Sequence, residues 1–146
     1  MSLTSLVQQR TPYDCSVCCM AMLTDRSYEE ALTSIGDAFH PTEGMRREQK
    51  ALERLGFSHT FSGGEAIGDV VCRHRGPLAP EFFRQFAWGR RALMTVPSLN
   101  YAGKWHMIFW DGVRVWDPSP GKAYQAWVEL MPDELVLFDE IRRKSP

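Results

Sequence analysis

Apolar residues follow two different periods along the chain. Up to about residue 90 they recur at helical spacing, and from Ala92 onward they gather in short runs bounded by turn residues. The first run, Cys15 to Thr24, is almost wholly apolar and predicts a buried central helix over about Asp14 to Leu23, with Asp14 as N-cap and Pro12 just outside. Ser27-Tyr28-Glu29-Glu30 is a capping box, so a second helix runs from Ser27 to about Ile35 and stops at Gly36. Thr42 opens a third, in which Met45, Gln49, Leu52 and Leu55 recur on one face before Gly56. Its other face, Arg46, Arg47, Lys50, Glu53 and Arg54, is expected in solvent. A helix with Phe82, Phe83 and Phe86 on its apolar face spans Pro80 to Trp88, and Gly89 ends it.

Strand patterns cover Phe57 to Phe61, Ala92 to Pro97, Trp105 to Trp110, Val113 to Asp117 and Leu135 to Ile141, while Ile67 to Cys72 fits either a helical turn or a strand. Helices crowd the first 90 residues and strands the rest, which predicts one α+β domain with a helical part over about 1–90 and an antiparallel sheet over about 91–146. A length of 146 residues suits a single domain with its own core.

Composition narrows the function classes. The hydrophobic share is 44%, the charged share 24% and the formal net charge -1, so no global basic field draws in nucleic acid or acidic lipid. The sequence carries neither a membrane-length apolar run nor a signal-peptide pattern, and a cytoplasmic location is the expectation. Cys15, Cys18, Cys19 and Cys72 are spaced as free thiols rather than as a disulfide framework. Cys18 and Cys19 are expected as small core residues of the first helix.

Cys15 is different, because it sits where the helix begins. Unpaired N–H groups there favour a thiolate, which is a nucleophile. Asp111-Gly112 between two strand patterns predicts a two-residue hairpin turn, which would place Trp110 opposite Val113 and His106 directly opposite Asp117. Such a pair supplies a base and the carboxylate that orients it. Gln9 lies six residues before Cys15, where its amide could join the Cys15 backbone N–H as an oxyanion donor. Cys15, His106, Asp117 and Gln9 are therefore the candidate catalytic set. Trp105 and Asp14 are candidate substrate contacts, and Trp110 a candidate wall of the site. Nothing in this chemistry requires a metal or another cofactor, and the partner it calls for is a peptide or protein substrate.

Gln9, Asp14-Cys15-Ser16 with an apolar helix behind them, His106-Met107-Ile108 and Asp117-Pro118 together resemble the bacteriocin-processing peptidase domain, the papain-like (peptidase C39-like) family that cleaves after double-glycine leaders. The resemblance implies a papain-like cysteine-proteinase fold, with an N-terminal helical lobe bearing Cys15 and a C-terminal antiparallel sheet bearing His106 and Asp117. It also implies thiol-protease chemistry, proteolysis through those residues with Gln9 in the oxyanion hole, and a bacterial or phage origin. The chain departs from the family in having Ser16 where glycine is usual and a shorter His-to-Asp segment, and it is expected to be free-standing rather than fused to a transporter. Papain-like proteins include deamidases and acyl-transfer enzymes, so the net reaction stays open at the level of sequence. Two other readings stand beside it: a metal or redox module on Cys15, Cys18 and Cys19 with Cys72, His74 or His106, and a papain-like binding module without catalysis.

Overall fold

A computed structural model of the chain describes residues 5–36, 46–62, 88–125 and 137–143. The helix predicted from Pro80, the Ile67–Cys72 segment, His74, the beginning of the third helix and the first residues of the last strand lie outside these. The described residues form an α+β structure of three helices and an antiparallel five-stranded sheet.

Helix α1 (Cys15–Thr24) is central, and every residue from Ser16 to Thr24 is buried. A helix that is apolar all round has no face to offer solvent, so it is covered on every side. Its C-terminal carbonyls have local partners. Asp25 turns into the left-handed region at φ 57° and donates its N–H to Ala21, and the Arg91 guanidinium donates to the Leu23 carbonyl. A cation at this end also meets the negative pole of the helix.

Helix α2 (Tyr28–Ile35) starts as expected: the Ser27 hydroxyl accepts the Glu30 N–H at 3.1 Å, and Gly36 ends the helix at φ 81°. Helix α3 (Arg46–Arg54) buries Glu48, Ala51 and Leu52. Its basic face corrects the sequence expectation at Arg47, while Lys50, Glu53 and Arg54 are exposed as expected. The Arg47 guanidinium is mostly buried, where it pairs with Glu48 at 3.1 Å and donates to the Ser16 hydroxyl at 3.3 Å. Arg54 donates to the Ser34 carbonyl at 2.6 Å. Long arginine side chains reach across neighbouring helices, which a helical-wheel pattern does not register.

The strands are β1 (Phe57–Ser62), β2 (Ala92–Pro97), β3 (Trp105–Trp110), β4 (Val115–Trp116) and β5 (Leu137–Arg143), in the spatial order β1-β5-β2-β3-β4. The sheet is not confined to the chain beyond residue 90, because β1 precedes that point and pairs antiparallel with β5. Leu93, Met107 and Phe109 face α1 and share its core with Ala31, Ile35, Ala51, Leu52 and Phe57. On the reverse face Ala92, Met94, Val96, Ile108 and Trp110 are also buried. Two buried faces explain why β2 and β3 read as nearly continuous apolar runs. Trp110 accordingly belongs to the core, with 1% of its surface exposed, and is not a wall of the site.

The β3–β4 turn is longer than the sequence suggested. Phe109 pairs with Trp116 and Trp110 with Val115, so the loop spans residues 111–114. The cause is the Asp111 carboxylate. Its Oδ1 accepts the N–H groups of Val113 (2.8 Å) and Arg114 (2.7 Å), and its Oδ2 accepts the Trp116 indole at 2.8 Å. An aspartate that satisfies its own loop in this way competes with a two-residue turn. The predicted register is thus displaced by two residues, and His106 does not face Asp117 across a ladder.

Candidate active site

Cys15 is the first residue of α1 and is half-buried. The first helical bond to form runs from the Cys18 N–H to the Asp14 carbonyl at 3.2 Å, so the Cys15 N–H belongs to the unpaired first turn. The helix is pinned to β3 one turn further on, where Cys19 donates its thiol to the Met107 carbonyl at 3.3 Å. That contact brings the start of the helix to the start of the strand, where His106 stands.

His106 Nε2 lies 2.6 Å from Asp117 Oδ1, with the histidine side chain 11% exposed and the aspartate side chain 2%. The pair forms although the ladder register differs from the one expected, because a slip of two residues keeps every side chain on its face. Asp117 follows β4 directly and reaches along that face to the end of β3. Burial alone would push the imidazole's pKa down. Hydrogen bonding of the charged ring to Asp117 and Cys15, together with their negative charge, outweighs it and raises His106 from 6.5 to about 9. Because Asp117 occupies Nε2, Nδ1 is the ring nitrogen left for Cys15.

Asp117 is itself held by backbone donors. Its Oδ1 also accepts the Ser119 N–H at 2.9 Å, and its Oδ2 accepts the Tyr124 N–H at 2.8 Å. The Tyr124 hydroxyl donates to the Pro97 carbonyl at 2.6 Å, which ties this loop to the end of β2. The Ser119 contact had a sequence signature, since an aspartate bonding the N–H two residues on is an Asx turn. The Tyr124 contact had none.

Gln9 joins the site through its backbone, where its N–H donates to the Pro118 carbonyl at 2.8 Å. Its side-chain amide donates to the Thr11 carbonyl at 3.1 Å, which uses one of its two N–H groups. The structure therefore brings Cys15, His106 and Asp117 together, with the Gln9 backbone beside the Asp117–Pro118 segment.

Asp14 is close to them but has another task. It occupies the N-cap position without a side-chain cap bond, and it is wholly buried. Its carboxylate turns back into the loop, taking the N–H groups of Arg10 (3.0 Å) and Thr11 (3.2 Å) and the Tyr28 hydroxyl (2.6 Å). Burial disfavours its charge, but these donors prevail and hold its pKa below the ordinary value. This arrangement shapes the loop and offers nothing to a substrate.

Trp105, by contrast, is 53% exposed at the start of β3. Tyr101 and Leu99, also exposed, lie on the same β2–β3 loop. Asn100 fixes that loop to the Asp117–Tyr124 segment. Its Nδ2 donates to Ser119 Oγ at 2.9 Å and the Lys122 carbonyl at 2.8 Å, while its Oδ1 accepts the Lys122 N–H at 2.9 Å.

The remaining described thiols are buried in the core, as expected. Burial, with the nearby charges of Asp14 and Cys15, pushes Cys18 up to about 12, and burial raises Cys19 as well. No described helix is long and apolar enough to cross a membrane. Compared with models of known protein families and with curated proteins, the chain matches none.

Proposed function

We propose that this chain is a papain-like cysteine peptidase, or a related hydrolase of an amide bond, in which Cys15 is the nucleophile, His106 the acid–base group and Asp117 its orienting partner. The observation that carries this reading is one imidazole with Asp117 at 2.6 Å on Nε2 and the Cys15 thiol near enough to bear on its charge. Cys15 gives its proton to His106 Nδ1 and attacks the carbonyl carbon as a thiolate. An imidazole with a pKa near 9 holds that proton at neutral pH. The oxyanion that forms is met by the Cys15 backbone N–H and the second N–H of the Gln9 amide. When the intermediate collapses the C–N bond breaks, His106 protonates the leaving amine, and a thioester remains on Cys15. Water then adds with loss of a proton to His106, and the acid is released as the thiol re-forms.

Trp105 is the proposed wall beside the scissile bond. The helix-then-sheet layout, with the nucleophile opening the central helix and its base on the sheet, supports the papain-like reading and the kinship with double-glycine leader peptidases. The test is alkylation by iodoacetamide near neutral pH, followed by mass mapping. Cys15 is expected to react far faster than Cys18, Cys19 or Cys72, and His106→Ala to slow it. Equal, slow labelling of all four thiols ends the proposal.

A further inference from the structure

The loop before Cys15 is tied to α2 by contacts that the proposed chemistry does not use. Tyr28 donates its hydroxyl to Asp14 Oδ2 at 2.6 Å. The Arg10 guanidinium lies over the Tyr28 ring at 3.8 Å and pairs with Glu29 at 3.0 Å. Asp14 in turn holds the N–H groups of Arg10 and Thr11, and the Thr11 carbonyl holds the Gln9 amide at 3.1 Å. A continuous series of bonds therefore leads from Tyr28 through Asp14 and Thr11 to Gln9. The other end of the loop is fixed separately, by the Gln9 N–H on the Pro118 carbonyl.

Such a construction is out of proportion for an ordinary loop. A carboxylate with no exposed surface, accepting three donors, is costly to bury and is tolerated only when those donors are held in place. Here it fixes two successive backbone N–H groups, which anchors the Thr11 backbone whose carbonyl meets the Gln9 amide. A glutamine amide on a mobile loop would sample many orientations. One whose first N–H is committed to a fixed carbonyl has its second N–H held to a much narrower range, because the amide group is planar and its other end is tethered to the Gln9 backbone. An oxyanion donor is effective only if it is oriented before the charge appears.

We propose that Tyr28 and Asp14 are positioning residues for the oxyanion donor: they act through Thr11 on Gln9, and α2 is in this way part of the catalytic apparatus. The inference rests on the proposed function of Cys15 and Gln9, and goes beyond it by assigning a role to α2 and to the buried carboxylate.

Two reagents separate the steps. Iodoacetamide alkylates Cys15 by displacement at carbon and forms no oxyanion. 4-Nitrophenyl acetate acylates Cys15 through a tetrahedral oxyanion and releases 4-nitrophenol. The ratio of acylation to alkylation at Cys15 thus reports the donors independently of the nucleophile. Gln9→Ala is expected to lower that ratio about tenfold or more. Tyr28→Phe keeps the ring and its stacking with Arg10, leaves alkylation within about twofold, and lowers the ratio roughly fivefold. The double variant is expected to be no worse than Gln9→Ala alone, because Tyr28 has nothing left to position. Arg10→Met, a change at an exposed side chain, supplies a second case should Tyr28→Phe fold poorly, with a smaller loss that also vanishes on the Gln9→Ala background. An unchanged ratio in Tyr28→Phe, equal loss of both reactions, or effects that multiply in the double variant overturns the inference while leaving the nucleophile in place. If wild-type Cys15 is labelled no faster than Cys18 and Cys19, the functional reading and this inference fall together.

Discussion

Cys19 donates its thiol to the Met107 carbonyl across 3.3 Å, and this one bond sets the central helix against the strand that carries His106. Cys15 lies one helical turn before Cys19, and His106 one residue before Met107, so the distance between nucleophile and base is inherited from the packing of their neighbours. Cys19→Val removes the donor at nearly constant volume and is expected to cost about 1 kcal/mol, since it leaves a buried carbonyl short of a partner. Cys19→Leu adds bulk in a full core and is expected to cost about 1–3 kcal/mol. Urea unfolding measures both, and Cys19→Leu should slow Cys15 alkylation in the folded protein where Cys19→Val does so less.

The raised pKa of His106 makes stability depend on pH in a predictable direction. The folded value, about 9, lies above the ordinary 6.5, so the proton stabilises the fold. That contribution is fully present below about pH 6.5, declines as pH rises, and is gone above about pH 9. Its size is on the order of 1–3 kcal/mol. The difference in unfolding free energy between wild type and His106→Ala, followed from pH 6 to pH 10, should shrink over this window. A constant difference would show that the imidazole is not held charged.

Asp117→Asn looks conservative but is not. Asp117 Oδ1 accepts from His106 and Ser119, and Oδ2 accepts from Tyr124. An asparagine must turn its NH₂ toward one of these sets, and both contain a backbone N–H donor. The donor–donor conflict is expected to cost about 1–3 kcal/mol. The imidazole also loses its anion, so its titration, followed by proton NMR of the ring, should move down toward the ordinary histidine range.

Gly121 lies against the Asn100 side chain, and a methyl group there would meet Asn100 Oδ1 at 2.6 Å. Gly121→Ala is therefore expected to displace Asn100 from Ser119 and Lys122 and loosen the loop carrying Leu99 and Tyr101, which leads into Trp105. If that loop forms a wall for the substrate, KM rises with little change in kcat. A fall in kcat alone would place the wall elsewhere.

Much of this was legible in the sequence, though not always for the reason first given. The bounds of β2 and β3, the extent of α1 and the Ser27 cap follow from local periodicity and capping chemistry, which act over a few residues. The meeting of His106 and Asp117 was expected from a two-residue turn, and that turn does not form: Asp111 takes the Val113 and Arg114 N–H groups for itself. The pair survives because the slip is even. Asp14 was expected to cap α1 and instead serves the loop before it, since Tyr28, fourteen residues away, offers a better partner. The inward reach of Arg47 and the union of β1 with β5 likewise depend on residues distant in sequence, and no local pattern encodes them.

The position of β5 bears on how the protein is made. It lies between β1 and β2, although it is the last of the described strands in the chain. Until residues 137–143 have left the ribosome, β1 and β2 each expose an unpaired edge, and the helical half cannot be joined to the strands that carry His106 through the sheet. Assembly of the sheet therefore waits on the residues of β5, and until they emerge β1 and β2 are open to pairing with other strands.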